Sequence, residues 1–155
     1  MSLRDRLDEE LKAAMKSSDA MRRDSLRMVL AAVQKTEKEA TRGRALTDDE
    51  MIGVLAREIK VRHESVDTFR AGGREDLVAR EEAAIAVVSE FMPEQLSEAD
   101  LRALIDQAIV ETGAASPRDM GKVMGWLSPR TRGKADGKVV SQLVSQLLAA
   151  RSAGS

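Results

Sequence analysis

The chain has 155 residues, enough for one good core or two small ones, and its 25 basic and 26 acidic residues leave a net charge of -1. That balance, with a pI near 6.0, argues against a general nucleic-acid coat protein and against DNA as a ligand. The absence of cysteine excludes disulfides, thiolate nucleophiles and Cys-ligated metals, and a charged N-terminus with no apolar run of about 20 residues argues against export and membrane insertion. A cytoplasmic protein with no membrane partner is the expectation. Few aromatics and much Ala, Leu, Glu, Arg and Met favour helices over strands.

The first segment, residues 2–17, places Leu3, Leu7, Leu11, Ala14 and Met15 on one face, with Ser2 as its cap. A second runs over residues 19–42 on the stripe Leu26, Val29, Leu30 and Val33, and Gly43 ends it. Thr47 and Glu50 form a capping box for a third helix that continues to Ala71. Gly72 and Gly73 break it, and a fourth helix spans residues 74–91 until Pro93 stops the pattern. Residues 93–97 read as a linker. Ser97 then caps a fifth helix with Leu101, Leu104, Ile105, Ala108 and Ile109 inward, closed by Gly113. Ser116 and Pro117 start a sixth, lined by Met120, Val123, Met124 and Leu127. Ser128-Pro129 is expected to begin a new short turn or helix. Asp136 caps a final helix with Val139, Val140, Leu143, Val144, Leu147 and Leu148 inward, and residues 151–155 are expected to fray. The fold class is all-α: an antiparallel bundle of about four helices over residues 1–93 and a small three-helix domain over residues 97–150.

Catalytic signatures do not emerge. His63 is the single histidine and has no Cys or second His beside it, so a structural or surface role is favoured over base or ligand. No phosphate-binding loop or nucleophile elbow occurs. Asp48, Asp49 and Glu50 read as first-turn acids facing a helix dipole rather than as metal ligands. No catalytic residue, metal or cofactor is therefore assigned.

Three features remain as sites. Arg62 and Glu81 each interrupt an otherwise apolar stripe, Ile52-Leu55-Ile59 to Val66-Phe69 in one helix and Val78 to Ile85-Val88 in the next. Folding back at Gly72-Gly73 would bring them together as a partly buried ion pair that fixes register, or more sharply as a polar site between helices. Residues 118–138 carry six basic residues (Arg118, Lys122, Arg130, Arg132, Lys134, Lys138) against two acids, Asp119 and Asp136, on an acidic background. Lys122, Arg130, Arg132, Lys134 and Lys138 are candidate phosphate contacts, and Gly133 and Gly137 allow close backbone approach. Gly121 and Gly125, one turn apart, form either a close-approach surface for another backbone or a tight contact inside the domain. Trp126 beside them is core, interface or a stacking platform.

These residues resemble the YqeY-like family over nearly the whole chain. The N-terminal half matches through Ala14-Met-Lys16, Leu26-Arg-Met28, Arg57-Glu-Ile-Lys60, Arg62-His-Glu-Ser65 and Ala71-Gly-Gly-Arg-Glu-Asp-Leu77, and the junction through Phe91-Met-Pro-Glu-Gln-Leu-Ser97. Asp119-Met-Gly-Lys-Val-Met-Gly125 followed by Gly133-Lys-Ala-Asp-Gly137 is similar to the tail domain of the B subunit of tRNA-dependent Asp/Glu amidotransferase. His63 stands where a lysine is expected, and Trp126 where a smaller side chain is. The resemblance implies two helical domains and a non-catalytic, tRNA-associated accessory role, with tRNA or a tRNA-processing or aminoacylation protein as partner. A helical protein–protein adaptor is the alternative reading. A carbon–nitrogen ligase using glutamine as amide donor comes last, because the sequence offers no nucleophile–base pair and no nucleotide site.

Overall fold

A computed structural model describes residues 1–154. It is all-helical, with seven α-helices, one short 3-10 turn and, among the described residues, no strand. The chain divides into two compact units, Met1–Met92 and Pro93–Ser155.

In the first unit, α1 (Leu3–Lys16), α2 (Ala20–Glu39), α3 (Asp48–Ala71) and α4 (Glu75–Ser89) enclose one core. Leu7, Leu26, Val29, Val33, Met51, Leu55 and Val88 are buried there, and each such side chain contributes about 1.5–3 kcal/mol by leaving water. Two capping boxes start helices. The Ser2 hydroxyl accepts from the Asp5 N–H and the Asp5 carboxylate from the Ser2 N–H. Thr47 and Glu50 do the same for α3. The Leu3 N–H donates to both carboxylate oxygens of Asp48, at 3.2 and 3.3 Å, tying the start of α1 to the start of α3. Arg22 joins this frame by bridging Glu10 at 2.8 Å and Glu90 at 2.6 Å. The pair α3 and α4 is the most extensive in the unit. It forms because the chain reverses at Gly72-Gly73, where Gly73 takes a φ of +71° that a side chain would strain.

Two details depart from expectation here. Met15 is exposed rather than inward, because Leu7 and Ala14 already supply the buried face of α1. The second helix ends at Glu39, short of Arg42. The chain unwinds there because the Thr41 hydroxyl is shared between the carbonyls of Glu37 and Arg44, and because Arg42 and Gly43 take φ of +53° and +92°.

The second unit holds α5 (Glu98–Thr112), the 3-10 turn Pro117–Asp119, α6 (Met120–Thr131) and α7 (Gly137–Ala153). Its core is Leu101, Ile105, Ala108, Ile109, Val123, Leu127, Val140, Val144 and Leu148. Ser97 caps α5 by accepting from the Asp100 N–H, and Gly113 closes it in the left-handed conformation with φ of +69°.

Pro129 does not begin a new element: α6 runs through it to Thr131. Proline removes the N–H that would bond the Gly125 carbonyl, and its ring presses toward that residue. The break falls in the last turn of the helix, where few ladder bonds depend on it. Side chains on either side reinforce the ladder: Ser128 Oγ donates to the Met124 carbonyl at 2.7 Å, Arg130 to that of Trp126 and Thr131 Oγ1 to that of Leu127 at 3.1 Å. Val139 is exposed, since Val140 and Leu143 take the inward positions of that turn. Residues 151–153 remain helical rather than frayed; the rest of that expectation includes Ser155, which lies outside the described residues.

Candidate docking surface and interhelical cleft

The basic segment folds as the end of α6, a turn and the start of α7. Gly133 supplies the φ of +75° that the turn needs. The turn is pinned by the segment that precedes α5: Gln95 Nε2 donates to the Gly133 carbonyl at 2.7 Å and the Leu96 N–H to the Lys134 carbonyl at 2.8 Å. Arg132 and Lys134 project from a fixed turn.

The two acids of the segment are spent on local caps. Asp119 accepts from the Ala115 N–H at 2.8 Å and the Ser116 N–H at 3.3 Å. These backbone donors, with a smaller contribution from Lys122, hold its carboxyl below the usual range. Asp136 accepts from the Lys138 N–H at 2.9 Å. Lys122 lies 3.8 Å from Asp119, and among the described residues Arg118, Arg132, Lys134 and Lys138 form no ion pair. The surface therefore keeps most of its positive charge free.

Arg130 is different. Its guanidinium sits 3.7 Å from the centre of the half-buried Trp126 ring while donating to the Trp126 carbonyl. One face of the indole is already covered by a cation, so that face cannot stack on a base. Gly121 and Gly125 lie exposed on α6. A Cβ built at either would meet no atom within 4 Å, and the same holds at Gly137. Among the described residues of the second unit, none comes within contact of a Cβ built on the Gly121–Gly125 face.

In the first unit, α2, α3 and α4 leave a cleft of about 440 Å³ lined by Met21, Asp24, Ser25, Met28, Arg62, Arg80, Glu81 and Ala84. Arg62 Nη1 faces Glu81 Oε2 at 3.6 Å, and Arg62 Nη2 lies 3.6 Å from Glu58. Both separations exceed a good hydrogen bond. The Nη2 group instead rests against the Met28 thioether. Arg62 Nε and Glu81 Oε2 are buried with no hydrogen-bond partner among the described residues. Sequence reasoning singles out Arg62 and Glu81 but not Met21, Ser25, Met28 or Arg80. The available signal is the i, i+4, i+7 spacing of Met21, Ser25 and Met28 beside the buried stripe of α2.

His63 is exposed on α3, on the side away from the core. Asp48 holds the Leu3 N–H, and Glu50 is bound by Arg44 and Thr47. Among the described residues no cluster of three acids or histidines has metal-binding geometry, and no helix is long and apolar enough to cross a membrane.

Fold and surface together define an all-helical protein of two compact units with a basic, aromatic-anchored face on the second. The chain belongs to the YqeY-like family, whose profile, described as Yqey-like protein, matches residues 4–148. It is similar to the protein named "Altered inheritance of mitochondria protein 41, mitochondrial" in several fungi. The Pyrenophora tritici-repentis protein is 29% identical over 152 residues, covering 94% of this chain and 81% of that relative. The Lachancea thermotolerans protein is 25% identical over 140 residues, covering 86% and 74%. For Saccharomyces cerevisiae the match is 29% over 86 residues, covering 56% and 46%.

These relatives overturn two expectations. The tRNA-associated role, with its amidotransferase and ligase associations, gives way: the relatives' name refers to mitochondrial inheritance. Positive charge on an acidic background favours anionic partners in general and does not single out tRNA. The cytoplasmic assignment falls as well, because the relatives are named mitochondrial; cysteine content bears on redox conditions, and neither it nor net charge specifies the organelle.

Proposed function

We propose that the chain is a docking protein that holds an acidic polypeptide partner on the basic face of its second unit, without covalent chemistry of its own. The observation that carries this reading is the Arg130–Trp126 stack at 3.7 Å, in a segment whose Arg132, Lys134 and Lys138 form no ion pair among the described residues. Aromatic and arginine side chains are the groups most often found at the energetic centre of protein interfaces, and free cations around them steer an acidic partner. Lys122, Arg130, Arg132, Lys134 and Lys138 are the contacts to carboxylates in this reading. Gly121 and Gly125, bare of side chains, form the surface on which a partner backbone comes close.

The finer architecture belongs to the same proposal: an antiparallel four-helix bundle of α1–α4 carrying a three-helix docking domain of α5–α7. The short connection at residues 72–74 and the strong pairing of α3 with α4 support the first half.

Trp126 is the single tryptophan, so its fluorescence reports on this surface alone. Titration with polyglutamate at low salt should quench or shift the emission saturably. The effect should weaken as salt rises and be lost in the triple substitution Arg130→Ala, Arg132→Ala, Lys134→Ala. An emission unmoved by polyglutamate, a response retained by the triple variant, or a stronger response to RNA of equal charge would overturn the reading.

A further inference from the structure

The cleft between α2, α3 and α4 belongs to the first unit and takes no part in the docking proposal. It is walled by two cations, Arg62 and Arg80, and two anions, Asp24 and Glu81, with Met21, Met28 and Ala84 as its apolar side. Its formal charge is zero, yet its charges are poorly used. Arg62 and Glu81 sit 3.6 Å apart with side chains only 26% and 16% exposed, and each keeps one buried atom without a hydrogen bond among the described residues: a donor at Arg62 Nε and an acceptor at Glu81 Oε2, which meets Arg62 only at ion-pair distance. Leaving such atoms buried without a hydrogen bond is costly, so a ligand that satisfied them would bind with that cost relieved. Arg80 forms no ion pair among the described residues, and Asp24 engages only the neighbouring Arg23 through Oδ1, at 3.0 Å.

The position beside the Arg62 guanidinium is held by the Met28 thioether, a weak acceptor. Methionine is unbranched and adaptable, so Met28 can yield to a stronger acceptor. A ligand carrying only an anion would meet Glu81 and Asp24, and one carrying only a cation would meet Arg62 and Arg80. A ligand carrying both charges on adjacent atoms satisfies both orphaned groups at once.

We propose that this cleft binds a zwitterionic α-amino acid with an apolar side chain. Its carboxylate takes the donors of Arg62 and Arg80, its ammonium faces Glu81 and Asp24, and its side chain lies against Met21, Met28 and Ala84. The cleft volume of about 440 Å³ accommodates a ligand of that size.

The test uses the full chain with 13C-labelled methionine methyls, titrated with L-leucine, L-leucinamide (cation only) and 4-methylpentanoate (anion only). The expected result is a saturable shift of the Met21 and Met28 methyls with L-leucine. The dissociation constant should be on the order of a millimolar, the range open to so few atoms. The two single-charge probes should bind at least about tenfold more weakly. The double variant Arg62→Met/Glu81→Leu replaces the pair with apolar volume; it should keep its helical circular dichroism and melting transition and lose the leucine response. The inference fails if L-leucine shifts neither methyl, if a single-charge probe matches it, or if the folded double variant still responds. Response to none of the probes would identify the pair as a hydrated structural contact only.

Discussion

Arg62 Nη1 and Glu81 Oε2 face each other at 3.6 Å across α3 and α4, too far for a good hydrogen bond and too buried for full hydration. Such a pair holds register more through the cost of separating it than through its own attraction. Arg62→Ala should therefore destabilise the protein by about 1–3 kcal/mol, because it strands the Glu81 carboxylate. Arg62→Met/Glu81→Leu should cost less than Arg62→Ala alone. Urea unfolding of the three proteins checks this, and a double variant weaker than the single one would show the pair to be a net source of stability.

The sequence marks Arg62 and Glu81 because each breaks an apolar stripe, and the glycine turn sets them at similar distances from the reversal. The capping residues Ser2, Thr47 and Ser97 are legible for a related reason: capping is decided within four residues. What surrounds the pair is not legible. Met21, Ser25 and Met28 lie beside the stripe of α2, where only the placement of α3 and α4 decides whether a position lines a cleft or faces water. Pro129 misleads because its local rule ends a helix, while here it falls in the last turn of α6, which the Ser128 and Thr131 hydroxyls brace by donating to the Met124 and Leu127 carbonyls. The pinning of Gly133 by Gln95 joins residues 38 apart, beyond any short-range pattern.

Gly121 and Gly125 sit in a helix where a Cβ would touch nothing within 4 Å. Replacing either with alanine should stabilise the chain by about 0.4–1 kcal/mol, by restricting the unfolded state and raising helix propensity. The same substitutions should weaken polyglutamate binding if the bare face is the close-approach surface. Thermal melts and Trp126 titrations on Gly121→Ala and Gly125→Ala measure both, and a lowered melting temperature would reveal a packing demand absent from this structure.

Gly133 holds φ of +75°, and its own carbonyl and that of Lys134 are anchored by Gln95 and Leu96. Alanine there carries the left-handed penalty of about 1–2 kcal/mol, and the turn should respond by loosening from Gln95. Gly133→Ala is expected to lower stability by roughly that amount and to weaken the Trp126 response, while Gln95→Ala loosens the turn with little backbone strain. If both variants bind polyglutamate as well as the parent, the fixed geometry of the turn is unimportant to docking.

Glu50 is the most strongly shifted acid. Paired hydrogen bonds from Arg44 at 3.0 Å, then the Thr47 N–H, lower its pKa from 4.5 to about 2. A carboxylate whose pKa is depressed by folding stabilises the native state fully above its unfolded value. That contribution fades as pH falls below about 4.5 and is gone once the folded pKa near 2 is passed. The carboxyl carbon of Glu50 should titrate near 2, and in Arg44→Met it should titrate closer to the ordinary glutamate value. Thr47→Ala removes the reciprocal half of the cap and should cost about 1 kcal/mol at neutral pH. An unshifted Glu50 titration in the parent protein would mean that the Arg44 fork does not persist in solution.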